Sequence, residues 1–278
     1  MTHAIRDAPY VLGETEAEYE RLIRQSGIFN PFTERLFRDA GIGPGQRVLD
    51  VGSGVGDVAM LAARLVDHAG EVVGVERDAN TLAKARTRIA EARLPNVSFM
   101  QSDVADVESS RPFDAVVGRL ILQFLPDAGA VVRSLSCLVR PGGIIVFQEC
   151  YWGPLLQLTA NLPLRAKCAA LIHQAFERSG ANMNMELLLY RVFLDAGLPA
   201  PRMLIEVPVG NNPEIVRWAY DIFCSLRPRM HQPDLSALGD FDSLLPRLEA
   251  ELAETQTIGA CIGLVGAWCQ KPNGEAIR

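Results

Sequence analysis

Gly52-Ser53-Gly54-Val55-Gly56 follows a short apolar run, with Asp50 just before it and Asp57 just after. Glycines so spaced let a ligand approach the backbone, because no Cβ stands in the way. Two phosphate-binding readings fail on the residues themselves. The chain has no G-x-x-x-x-G-K-S/T, which a triphosphate loop requires. The dinucleotide fingerprint G-x-G-x-x-G needs glycine where Asp57 stands, and the third glycine, Gly56, comes one step early. Asp50 would also set a negative charge against a pyrophosphate. A cationic ligand without phosphate suits that acid better, and S-adenosylmethionine, with its ammonium and sulfonium, is such a ligand. Glu76 stands where a carboxylate can accept both ribose hydroxyls, and Asp103 where one can take an adenine amino group.

These residues need strands that end where they sit. Arg47 to Val51 reads as a short buried strand, Val72 to Val75 as a second ending in Glu76, and Val97 to Met100 as a third running into Ser102-Asp103. Phe113 to Gly118 is a fourth, and Ile144 to Phe147, after the Pro141-Gly142-Gly143 turn, a fifth. Helices fall between them, after the glycine turn to about His68, over about 79–92 and over about 127–139. Such alternation gives a parallel, right-handed doubly wound sheet. Ahead of it, residues 14–26 are periodic enough for an amphipathic helix. A second helix is expected from Asn30-Pro31, a capping residue followed by proline, to Gly41. Beyond 150 the rhythm changes. One helix is expected within 151–183 and another over 184–196, with a strand from Arg202 to Val209. A mostly helical stretch follows over 211–255, then a last strand from Ile258 to Cys269.

In this order and spacing, Val48-Leu49-Asp50-Val51-Gly52-Ser53-Gly54-Val55-Gly56 resembles motif I of the class I S-adenosylmethionine-dependent methyltransferases, of the small-molecule type. Glu76, Ser102-Asp103, Phe113 to Val117 and Leu138 to Gly143 are similar to the later motifs of that family. The resemblance covers about 45–150 strongly and the final strands weakly. It implies a Rossmann-like, seven-stranded, mostly parallel α/β sheet of order 3-2-1-4-5-7-6, its last strand antiparallel, with a helical substrate lid. The implied organisation is an N-terminal helical cap (1–42), a cofactor-binding core (43–150), a lid insertion (151–183), a core helix and strand (184–210), a helical lid insertion (211–256) and a final strand and tail (257–278).

The resemblance also implies roles by position. Asp50, Gly52 and Gly54 would face the methionine end, and Ser53 would serve mainly through its backbone. Glu76 would hold the ribose, Arg77 would lie against the adenine, and Asp103 with Val104 would bind the adenine edge. Gly118 and Arg119 would line the methionine end, Arg119 pairing with the carboxylate. Tyr10 and Gln25 precede the sheet, where this family often folds its first helix over the cofactor. Asp114 matches a motif but begins its strand, so a structural role is favoured.

The implied function is transfer of the methyl group of S-adenosylmethionine, leaving S-adenosylhomocysteine, to oxygen, nitrogen or carbon of a small molecule in secondary or specialised metabolism. A protein that binds the cofactor without catalysis is the alternative, and an NAD-dependent oxidoreductase a weaker one. In-line displacement asks the protein for alignment and water exclusion, and for a base only if the acceptor loses a proton. Glu149 and Tyr151 end the fifth strand nearest the methyl, and His173 is a further candidate on a lid helix. Trp152, Phe176, Trp218, Tyr220 and Phe223, with several methionines, suit an apolar pocket, though an ordinary core is the favoured reading.

The chain of 278 residues is 49% hydrophobic and 22% charged, enough for one elaborated domain with a core. A net charge of -6 and the lack of a basic run argue against nucleic acid. No cluster proposes a metal. Gly118-Arg119-Leu120-Ile121 stands where methylases of base or glutamine nitrogens carry Asn/Asp-Pro-Pro-Tyr/Phe. The polar, acidic N-terminus and the absence of a run of roughly 20 apolar residues point to a cytoplasmic protein without a membrane segment. Six scattered cysteines are expected reduced and structural. A homodimer through the lid helices is compatible with the sequence, though nothing demands it.

Overall fold

The structure, a computed structural model, describes residues 12–159, 161–230, 236 and 238–273. A long helix, α1 (Glu16–Ala40), precedes the alternating region. There β1 (Arg47–Val51), β2 (Glu71–Glu76), β3 (Val97–Gln101), β4 (Phe113–Arg119) and β5 (Val139–Tyr151) alternate with α2 (Asp57–Val66), α3 (Ala79–Glu91) and α4 (Ala128–Cys137). The rest comprises α5 (Gly153–Gln157), α6 (Pro163–Arg178), α7 (Met185–Asp195), β6 (Arg202–Glu206), β7 (Val209–Gly210), α8 (Pro213–Leu226), α9 (Leu244–Thr255), β8 (Gly259–Ala260) and β9 (Gly263–Gln270).

Seven strands form one sheet in the order β3-β2-β1-β4-β5-β9-β6. The seventh strand of this sheet, β9, is antiparallel, as the expected order requires. β7 and β8 stand apart as a two-stranded antiparallel ribbon. The chain divides into two compact units. One gathers residues 29–149, 184–205 and 265–278, the other 1–28, 150–183 and 206–264.

The first of these carries the strands that end at the glycine turn. Its core joins Leu36, Phe37 and Ala40 of α1 to Val58, Leu61 and Leu65 of α2 over Val48, Val72, Ala115 and Val146 of the sheet. β1 is central and pairs with β2 and β4, so four of its five residues are buried and apolar side chains dominate it. Asp114 is structural, as expected. Its carboxylate accepts the Arg47 amide at 2.7 Å and Arg140 Nε at 2.6 Å, fixing where β1 and β4 start together.

In the other unit, aromatic rings turn inward. Trp152 lies 5.3 Å from Phe176 and 5.6 Å from His173, and Phe241 stacks on Tyr220 and Phe223. Arg165 is buried and donates to the carbonyls of Ile215, Val216 and Ala260, tying α6 to α8 and β8. The Glu251 carboxylate accepts the first free amides of α6, from Leu164 and Arg165, as an N-terminal anion should. Burial pushes the thiols of Cys168 and Cys261 up to about 12, so both behave as packing groups.

Two expectations of local structure are corrected. Glu16–Ala40 forms one helix running through Pro31, in place of the two expected over 14–26 and from Asn30 to Gly41. Asn30 does not cap a new helix, because its side chain instead receives Arg119 (below). The stretch 151–183 holds two helices, α5 and α6, rather than one.

Gly74 of β2 marks a close approach. A Cβ there would stand 2.5 Å from the Phe99 ring and 3.0 Å from Ser53 Oγ. We expect Gly74→Val to cost roughly 1–3 kcal/mol by overpacking, a fall in melting temperature of about 3–10 °C. An unchanged melting curve would show that Phe99 and Ser53 can retreat freely.

Candidate functional site

The glycine turn begins where β1 ends. Gly52, Gly54 and Gly56 have φ of 66°, 51° and 88°, a left-handed backbone that glycine adopts without a Cβ penalty. Hydrogen bonds brace the turn from both sides. The Ser53 amide donates to the Val75 carbonyl at 2.8 Å, and the Gly54 amide to Glu76 Oε2 at 3.1 Å. Arg88 of α3 reaches across to the Val55 carbonyl (2.5 Å) and to Asp57 Oδ1 (2.7 Å). A Cβ built on Gly54 would meet nothing within 4 Å, so the space beside it is open.

Asp50 is the strongest electrostatic anomaly. In the ladder it lies between Gly74 and Val117, only 1% exposed, and its Oδ2 has no hydrogen-bond partner among the described residues. Burial raises its pKa to about 8; the Arg119 charge opposes that rise, and the Asp57 and Glu76 charges assist it. Arg119 ends β4. Its Nη1 donates to Asn30 Oδ1 at 2.9 Å and to Thr33 Oγ1 at 3.0 Å, and the Thr33 hydroxyl donates on to Gln148 Oε1 at 2.7 Å. The cation at the end of β4 is thereby held by α1. Gln148 Nε2 is buried without a partner among the described residues.

Glu149, near the end of β5, is fully buried. Its Oε1 accepts the amides of Ile121 (3.0 Å) and Leu122 (2.9 Å), while Oε2 has no hydrogen-bond partner among the described residues. Burial lifts its pKa to about 7; hydrogen bonds from the turn oppose that, and the Glu186 charge adds to it.

The other predicted positions divide cleanly. Glu76 keeps its carboxylate at the turn, with Oε1 accepting the Asp78 amide at 3.0 Å. Ser53 is buried, and its hydroxyl has no hydrogen-bond partner among the described residues. Arg77 is exposed, and its carbonyl accepts Gln101 Nε2 at 3.2 Å. Asp103 Oδ1 caps the short turn Val104–Asp106 through the Ala105 amide, and Val104 is buried. Gly118 is buried, with Phe147 and Ile121 pressed where its Cβ would be.

Three further positions belong to the other unit. Gln25 Oε1 accepts Arg21 Nη1 (2.7 Å) and Trp218 Nε1 (3.1 Å), next to the buried Glu18–Arg21 pair. Tyr151 packs against Gly153 and Gly263. His173 stands edge-on to Trp152. Tyr10 lies outside the described residues. Among the described residues no group of three His, Cys, Asp or Glu is placed to hold a metal, and no helix is long and apolar enough to cross a membrane.

Several residues at the strand ends had no signal in the sequence. Asn30 and Thr33 accept from Arg119, and Gln148 accepts from Thr33, over separations that no local pattern encodes. Ile121 sits where a Cβ on Gly52 would be, 2.7 Å from its Cδ1.

The methyltransferase domain family matches residues 42–194, more than half of the chain. Over 105 residues the chain is 36% identical to the ubiquinone biosynthesis O-methyltransferase of Albidiferax ferrireducens, covering 37% of this chain and 40% of that protein. Over 222 residues it is 28% identical to the trans-aconitate 2-methyltransferase of Methylobacterium nodulans, covering 75% and 78%. The first match therefore spans less than half the length of that relative. Among solved structures, an S-adenosylmethionine-dependent methyltransferase from Aquifex aeolicus superposes with a TM-score of 0.51 at 15% identity, covering 70% of this chain and 92% of that one. That likeness is one of fold.

Asp50 makes stability depend on pH in a definite direction. A carboxyl whose folded pKa is raised contributes stability that is complete below about pH 4 and is lost as the pH rises to about 8. We expect ligand-free Asp50→Asn to lose that slope and to melt at least about 3 °C above the parent at pH 8.5. A lower melting temperature there would mean the carboxylate is ionised and paired.

Proposed function

Because the chain belongs to the class I S-adenosylmethionine-dependent methyltransferases, we propose that it transfers a methyl group from S-adenosylmethionine to a small organic molecule. The observation that carries this reading is the Asp50 carboxyl, buried and one oxygen unpaired, beside a glycine turn with open space at Gly54. A cation fits there and a pyrophosphate does not. Relatives acting in ubiquinone biosynthesis and on trans-aconitate support the small-molecule class of acceptor.

In this reading Asp50 meets the ammonium end of the donor and Arg119, held by Asn30 and Thr33, its carboxylate. Glu76 uses the remaining lone pairs of its two oxygens for the ribose hydroxyls, while Gly54 and Asp78 hold its orientation. Arg77, Asp103 and Val104 take the adenine. When bound, the donor supplies an electrophilic methyl on a sulfonium; the protein's task is alignment and exclusion of water. Tyr151 and His173 are the candidates for accepting a proton from the acceptor.

Calorimetric titration with S-adenosylmethionine, and with NAD as control, tests the reading. Micromolar binding of the first alone is the expected result, and binding of NAD alone would overturn it. Glu76→Ala should weaken the donor's binding by roughly 1.5–3 kcal/mol, about 10- to 150-fold. An unchanged dissociation constant removes Glu76 from the site.

A further inference from the structure

The turn that follows β4 is strained. Leu120 has a φ of 57°, in the left-handed region that a leucine side chain disfavours, while its amide donates to the Gln148 carbonyl at 2.8 Å. Such a conformation persists only where the surroundings over-determine it. Directly after it the chain turns through Leu122–Phe124, and Leu122 is fully buried. Ile121 is driven into the glycine turn. Its Cδ1 lies 2.7 Å from the Cβ position of Gly52, and its Cγ2 lies 3.0 Å from that of Gly118. A side chain at either glycine would displace it. The two turns that face each other across β1 and β4 thus share one plug, and the plug's backbone is held by Glu149.

We propose that Glu149 is a positioning residue. Through the Ile121 and Leu122 amides its carboxyl clamps the turn after β4, so that Ile121 seats on Gly52 and sets the floor of the donor site. The inference rests on the reading above that this floor receives the donor. It departs from a role as proton acceptor for a geometric reason. Glu149 is fully buried, and the oxygen that has partners is committed to two backbone N–H groups. Its other oxygen is buried too, with the Glu186 carboxylate of the first turn of α7 contributing to its field and Glu186 Oε2 likewise without a hydrogen-bond partner among the described residues. A clamp of this kind needs an oxygen that accepts; it does not need a charge. Glutamine supplies the same carbonyl oxygen at the same reach, and its amide can donate toward Glu186. Leucine keeps the volume and removes the acceptor, leaving two amides unsatisfied.

Three full-length variants decide it, Glu149→Gln, Glu149→Leu and Ile121→Ala, each read by amide hydrogen exchange and by titration with S-adenosylhomocysteine. Glu149→Gln should match the parent within about threefold in both. Glu149→Leu should speed exchange of the 121 and 122 amides at least tenfold in the ligand-free protein, with β1 and β2 still protected, and weaken binding at least tenfold. Ile121→Ala should leave those two amides slow and still weaken binding, which separates the clamp from the plug and serves if Glu149→Leu does not fold. Parental exchange in Glu149→Leu overturns the clamp. A Glu149→Gln variant as impaired as Glu149→Leu overturns it too, because charge would then be what matters. If the parent protein binds no S-adenosylhomocysteine, the donor reading fails on its own, and exchange in the ligand-free protein still decides whether Glu149 holds the turn.

Discussion

Asp50 is the penultimate residue of the central strand, with Gly74 and Val117 as its ladder neighbours, and neither offers it a polar side chain. A carboxyl in that place is desolvated with one oxygen unpaired, and much of the surrounding structure answers to it. Arg119 is the cation that faces it across the strand ends, and that cation is itself held by Asn30 and Thr33 of α1. Glu76 and Asp57 add negative charge on the same side, which Arg88 partly answers by gripping Asp57 and the Val55 carbonyl. Removing Arg119 would leave Asp50 without its opposing charge, whereas removing Asp57 or Glu76 would relieve it.

The sheet could be read in the sequence because its signals are local. Apolar runs of strand length and the glycine turn each declare themselves within a few residues, and their order gives the topology, whereas Pro141-Gly142-Gly143, read as a turn, lies inside β5. Glu76 and Asp103 could be placed for the same reason, each following its own strand. The network around Arg119 is different. Asn30 followed by Pro31 satisfies the local rule for a helix start, yet the helix runs on and the asparagine accepts from an arginine 89 positions away. Gln148 and Thr33 are separated by 115. Satisfaction of buried polar groups is a long-range property, and a reading by window and period cannot see it.

The aromatic residues after 150 are a simpler case. Trp152, Phe176, Trp218 and Phe223 are all buried, with Trp152 against Phe176 and Phe223 stacked on Phe241. Composition favours an ordinary core over a pocket lining, and these rings are buried.

Arg165 finds three backbone carbonyls through its Nη atoms and so ties three elements, though its Nε, like Trp152 Nε1, has no hydrogen-bond partner among the described residues. Near the ends of β1 and β5, Asp50, Ser53, Gln148 and Glu149 each leave a buried polar atom without a hydrogen-bond partner among the described residues. Each such atom costs about 1–3 kcal/mol, so four close to one turn are a heavy burden for a fold of ordinary marginal stability. A stability requirement alone would have replaced them with apolar residues. Under the proposed reading, the donor would complete bonds there that the protein alone does not make. On the same reading Asp50, Ser53 and Gln148 each keep an unpartnered polar atom to offer, whereas Glu149 has already given one oxygen to two backbone amides.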